Sequence, residues 1–126
     1  MQNTGRKVFV VDDEPIIAST LATILRMSGF TATYFTNPND ALASALSEPP
    51  DLLLSDVIMP GMSGIDLALQ IKSLCPSCKV MLFSGQAQSV DFVKDAQRVD
   101  ENFHILPKPL LPGELLVAIA AKLAGN

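Results

Sequence analysis

Short apolar runs alternate with amphipathic stretches along the whole chain. Val8-Phe9-Val10-Val11 is β-branched and ends abruptly at Asp12-Asp13-Glu14, which predicts a buried strand. Pro15 suits the first turn of a helix, with an acidic pair just ahead to meet its dipole. Ile17, Leu21, Ile24 and Leu25 fall on one side of that helix, which stops at Ser28-Gly29. Phe30 to Phe35 alternates apolar and threonine residues as a second strand would, and Asn37-Pro38 caps a short helix through Leu42 and Leu46 that Pro49-Pro50 closes. A third strand is predicted from Asp51 to Ser55 and a third helix from about Ser63 to Leu74, with Ile65, Leu67, Leu69 and Ile71 on its apolar side. Lys79 to Phe83 reads as strand four, ended by Ser84-Gly85, and Ser89 to Val99 as a more polar helix with Phe92, Val93, Ala96 and Val99 inward. Phe103 to Leu106 is the fifth strand and Gly113 to Ala124 the last helix.

Five strands alternating with five helices imply right-handed βαβ units, hence an α/β protein with a parallel sheet covered on both faces. With 126 residues and 48% hydrophobic content, the whole chain, 1–126, is expected to form one domain with no room for a second. A net charge of -4 with scattered basic residues argues against direct binding to nucleic acid. The polar N-terminus MQNTGRK is followed by four apolar residues, too few for a secretory segment, and no run approaches membrane-spanning length. The expectation is a soluble, cytoplasmic protein with no membrane contact, and two cysteines suit such a reducing compartment.

Ligands of an open parallel sheet bind beyond the C-terminal ends of its strands. Asp56 stands at such an end in LLLSDVIMPGMSG, where Pro60, Gly61 and Gly64 force the chain to turn. Alone it reads rather as turn chemistry, and Asp12 and Asp13 alone as solvated helix-capping acids. If strands one and three are neighbours, however, all three carboxylates share one crevice, and without a cation at least one carboxyl pKa is pushed up. A hard divalent ion relieves this, and oxygen ligation with open positions suits Mg²⁺. Strand four then supplies the Ser84 hydroxyl beside Gly85, and strand five the Lys108 ammonium between Pro107 and Pro109. An acid cluster, a nucleophilic carboxylate, a hydroxyl and a lysine at successive strand ends describe a phosphoryl site in which Asp56 attacks.

With VFVVDDE, LLLSDVIMPGMSG, VMLFSGQ and ILPKP in place, the chain from about Arg6 to Ala124 resembles the receiver (CheY-like) domain of bacterial two-component response regulators. The resemblance implies a flavodoxin-like, doubly wound sheet of order 2-1-3-4-5. It implies that Asp56 accepts a phosphoryl group from a histidine kinase or histidine phosphotransfer protein, a signalling switch rather than a turnover enzyme. It further implies Mg²⁺ held by Asp13, Asp56 and the backbone carbonyl of Ile58, with Asp12 acting through a water on the metal. Ser84 would close on the phosphate and Lys108 pair with it. One departure is Ile105, where receivers often carry an aromatic switch residue; His104 points to the opposite face of its strand and does not replace it.

Two other readings use the same residues. A phosphohydrolase similar to the haloacid dehalogenase group needs a second Asp two positions after its first-strand nucleophile, where Glu14 follows Asp12, and a cap insertion that is missing. A flavodoxin-like binding module lacks its phosphate loop after strand one. Cys75-Pro76-Ser77-Cys78 has redox spacing but follows a helix instead of opening one, at the far edge from the acids, and reads as a loop. Helix one carries Ile16, Ala18, Thr20 and Met27 beyond its core-facing set, and GELLVAIAAKLAG is apolar nearly all round. These faces suit docking of the phosphodonor against helix one and of a homodimer or effector partner against the last helix. No effector follows Asn126, which is expected of a free-standing receiver or a piece of a longer regulator.

Overall fold

In the computed structural model, residues 5–85 and 105–124 are described. The chain runs β1 Lys7–Val11, α1 Pro15–Met27, β2 Thr31–Phe35, α2 Pro38–Ser47, β3 Leu52–Asp56, α3 Gly64–Leu74, β4 Lys79–Ser84, β5 Ile105–Pro107 and α4 Pro112–Ala124. All strand pairs are parallel and the sheet order is β2-β1-β3-β4-β5, as expected. Four helices lie among the described residues; the helix expected from Ser89 to Val99, with Gln86, Phe103 and His104, falls outside them.

Side-chain alternation divides the core in two. Phe9, Val11, Leu53, Val80 and Leu82 meet Ala41 and Ala45 of α2 and Leu67, Ala68 and Ile71 of α3 on one face. Val8, Val10, Leu52, Leu54, Met81 and Phe83 meet Leu21, Ala22 and Leu25 of α1 and Leu115 and Ile119 of α4 on the other. Strand β3 lies between β1 and β4 and is buried at every residue, which explains its unbroken apolar run.

The helix faces differ from expectation because alanine does much of the packing. In α1 the inward set is Ala18, Leu21, Ala22 and Leu25, so Ala18 is core and not surface, while Ile17 and Ile24 lie at the margin. In α3, Leu69 points outward and Ala68 takes the inner position. In α2, Leu46 is exposed and Ala41 and Ala45 are buried. Small side chains let each helix axis lie close to the sheet, and a 100° step then turns the neighbouring large residue outward.

Two strand boundaries matter for the site. Strands β3 and β4 each run one residue past their predicted ends at Ser55 and Phe83, to Asp56 and Ser84, so both side chains are set by the sheet and not by a loop. Asp51 lies before β3, where its carboxylate accepts a hydrogen bond from the Lys7 backbone N–H at 2.7 Å. No described helix is long and apolar enough to cross a membrane.

Candidate functional site

The sheet's hydrogen bonding continues past its strand ends and fixes the residues there. Asp12 N–H donates to the Phe35 carbonyl (3.1 Å), Val57 N–H to the Phe83 carbonyl (3.0 Å), and Lys108 N–H to the Ser84 carbonyl (3.2 Å). Beyond Asp56 the chain turns through Gly61, whose φ of 81° is the left-handed region that glycine adopts freely. Ser63 then caps α3, its hydroxyl accepting from the Asp66 N–H at 3.1 Å. Gly64 N–H donates to the Val57 carbonyl (2.8 Å), and this closes the turn tightly beneath Asp56.

The predicted acids meet. Asp12, Asp13 and Asp56 each offer a carboxylate oxygen within 4.8 Å of the others. Asp12 is fully buried, Asp56 is 5% exposed, and Asp13 is half-buried. Lys108 stands against them, its Nζ 3.2 Å from Asp56 Oδ2 and 3.5 Å from Asp12 Oδ2. Asp12 Oδ1 accepts from the Glu14 N–H at 2.9 Å, whereas Oδ2 is buried with no hydrogen bond; its approach to Lys108 is a longer ion pair.

Burial pushes the Asp56 carboxyl above its ordinary value, and Asp13 adds to the push against the pull of Lys108 and the Ile58 N–H. Burial likewise raises Asp12, opposed by the Glu14 N–H and Lys108. The expected upward shift is therefore present, but desolvation is its larger cause and mutual repulsion the smaller one. Burial alone would lower the Lys108 pKa, yet Asp12 and Asp56 outweigh it and hold the ammonium above its usual range. A buried carboxylate oxygen without a donor, within reach of two other carboxylates, is chemistry that a hard divalent cation completes.

Ser84 is buried at the end of β4, and a side chain added at Gly85 would meet none of the described residues within 4 Å. Ile58 is half exposed beside the acids. Phe83, read from sequence as a strand residue, sits in register opposite Asp56 and is fully buried, with Lys108 Nζ 5.3 Å from its ring centroid. The signal that would have found it is the β3–β4 register, which no local pattern contains. A groove of about 510 Å³ opens from Lys108 between Ile16, Ile17, Thr20 and Ile24 of α1 and Pro109 and Leu110 ahead of α4. The cysteines lie apart from the site: Cys78 N–H donates to the Cys75 carbonyl in a turn, and burial pushes the Cys78 thiol up to about 12. The loop reading stands.

Residues 8–120 match the family described as response regulator receiver domain. The DNA-binding transcriptional regulator NtrC of Salmonella typhimurium is 40% identical over 102 residues, covering 81% of this chain and 21% of that protein. The DNA-binding response regulator MtrA of Mycolicibacterium smegmatis is 29% identical over 126 residues, 100% of this chain and 54% of its own. The chain thus spans between about a fifth and about half of the length of these relatives. Among solved structures, a response regulator receiver domain protein (CheY-like) from Methanospirillum hungatei superposes with a TM-score of 0.86 at 26% identity, covering 96% of this chain and 95% of that one. The BeF3-activated DrrB receiver domain has the same fold, with a TM-score of 0.83 at 24% identity over 97% of this chain and 100% of its own.

Proposed function

Because the chain belongs to the response regulator receiver domain family and is thereby a phosphoacceptor signalling switch rather than a turnover enzyme, we propose that Asp56 is its acceptor. The observation that carries this reading is the Lys108 ammonium bridging Asp56 and buried Asp12 at the mouth of one acid cluster. An Asp56 oxygen attacks phosphorus, the P–O bond forms as the P–N bond to the donor imidazole breaks, and the imidazole nitrogen keeps the electron pair. Lys108 offsets charge on the phosphoryl oxygens, and the Ser84 hydroxyl closes on them from β4.

Asp13, Asp56 and the Ile58 carbonyl would hold Mg²⁺, with Asp12 acting through a water on it, and the ion would supply charge neutralisation on the transferring group. Near-total burial of Asp56 keeps bulk water from the attacking oxygen.

Receiver domains work with histidine kinases, and the groove beside Lys108 is the proposed seat of the phosphodonor. It is apolar, reaches Lys108, and is edged by Ile16, which is 80% exposed. Val117, 71% exposed on α4, belongs to the second proposed surface, for an effector or a second copy. The net charge of -4 supports protein rather than nucleic acid as the direct partner, although the two regulators above are named as DNA-binding.

Incubation with acetyl phosphate and Mg²⁺, followed by intact-mass measurement, tests the assignment. One phosphoryl adduct on the parent and none on Asp56→Asn is expected. An adduct that survives in Asp56→Asn would move the acceptor elsewhere.

A further inference from the structure

Lysine is a flexible four-carbon stem ending in a compact charge, so its ammonium stays in place only where its surroundings hold it. Two carboxylates hold Lys108 from one side, at 3.2 and 3.5 Å. Among the described residues a further contact is the ring of Phe83, 5.3 Å from Nζ to centroid, within the distance at which the electron-rich ring face attracts a cation. Phe83 is fully buried and packs with Leu54, Met81 and Leu106. Its backbone is paired opposite Asp56 on one side and Leu106 on the other. The ring belongs to the buried cluster on this face of the sheet and also lines the groove beside Lys108, and backbone pairing on both sides limits how far it can follow its guest.

The two kinds of contact differ in what phosphorylation does to them. Converting the Asp56 carboxylate to an acyl phosphate removes the charge on the oxygen nearest Lys108 and places new charge farther out. The ring is neutral and unchanged by the reaction. It therefore constrains Lys108 equally before and after transfer, which the Asp56 carboxylate cannot.

We infer that Phe83 is a positioning residue for phosphoryl transfer, its ring face holding the Lys108 ammonium beside Asp12 and Asp56. The inference rests on the reading of Lys108 as the counter-charge for the phosphoryl group. Leucine at this position would fill most of the same core space without a negative face, so burial and cation binding are separable.

The test replaces Phe83 in the full chain with mono-, di- and trifluorinated phenylalanine, which keep the ring's shape while draining its face of electron density. Initial rates of adduct formation from acetyl phosphate with saturating Mg²⁺ are read by intact mass, and melting temperatures are read alongside. The rate should fall stepwise, by about three- to tenfold across the series, while the melting temperatures stay together. Phe83→Leu should match or fall below the trifluorinated chain. In a Lys108→Met background, with no cation over the ring, the fluorine dependence should vanish. A flat series on the Lys108 protein, or a slope that persists in Lys108→Met, overturns the inference. A Lys108→Met protein that transfers at the parental rate instead overturns the role of Lys108 itself.

Discussion

At Gly64 the absence of a side chain lets α3 begin directly beneath the end of β3. A Cβ built there would overlap the backbone carbonyl oxygen of Asp56 and press on its carbonyl carbon and on the Cα of Val57, backbone atoms that cannot swing away. Gly64→Ala should therefore shift the Asp56 peptide or the helix start, costing about 2–3 kcal/mol as overpacking does. A thermal melt with the acetyl phosphate assay would show both lower stability and slower adduct formation; a variant as stable as the parent would mean that the turn relaxes freely. Ile58 is the second such residue. Two positions after Asp56 and half exposed, it can neither hydrogen-bond a water behind the phosphorus nor leave that water's path open. The phosphorylated parent should accordingly decay slowly. Ile58→Asn should lose phosphate up to about tenfold faster, the equivalent of one hydrogen bond of roughly 1.4 kcal/mol gained in the transition state. Phosphate release followed in Mg²⁺ checks this, and an Asn variant no faster than the parent would show that position 58 does not govern the water.

Between residues and the whole stand the elements, and α1 shows what each level of reading can see. Its sequence announces a helix, because Pro15 opens it and apolar residues recur every three to four positions. Which apolar residues face inward is not announced, since Ala18 and Ala22 carry less hydrophobic signal than Ile16, Ile17 and Ile24 yet occupy the inner stripe. Ile17 and Ile24, expected inward, instead join Ile16 in the wall of the groove beside Lys108. Strands were legible for the opposite reason: β3 is enclosed on both faces and needs no choice of side, and the acids that end β1 and β3 mark the site. The contact of Phe83 with Lys108 was not legible, because it joins β4 to the residue just past β5 through the register of those two strands alone. If α1 is the phosphodonor's seat, Ile16→Asp should leave stability within about 0.5 kcal/mol, as surface changes do. Transfer from a cognate phosphohistidine protein should drop about tenfold or more, while labelling by acetyl phosphate should be unchanged. Equal loss with both donors would place the defect in the site and not in docking.

For the molecule as a whole, the acid cluster sets a stability that depends on pH and metal in a particular direction. Asp12 and Asp56 both have pKa values raised above the ordinary 3.8 in the folded chain, burial being the main cause. A carboxyl whose folded pKa is raised holds its proton more tightly when folded, so its contribution favours folding below the unfolded value and is lost as pH rises through the folded one. The metal-free protein should therefore lose stability as pH climbs from 3.8 through the raised values of these two groups, opposite to carboxylates held by strong ion pairs. Lys108, also raised, keeps its contribution until pH passes above its ordinary 10.5 and does not mask the trend. If Mg²⁺ is the cluster's ion and binds the ionised carboxylates in the folded state alone, its stabilising effect should grow across the same window as the protons leave. At a concentration about a hundredfold above Kd the gain is roughly 2.7 kcal/mol, and Asp13→Ala should lose most of it. Melting curves across pH, with and without Mg²⁺, measure both slopes. A Mg²⁺ response as large in Asp13→Ala as in the parent would show that the half-buried carboxylate at the rim is not a ligand, and the metal would then have to sit between Asp12 and Asp56, where Lys108 already stands.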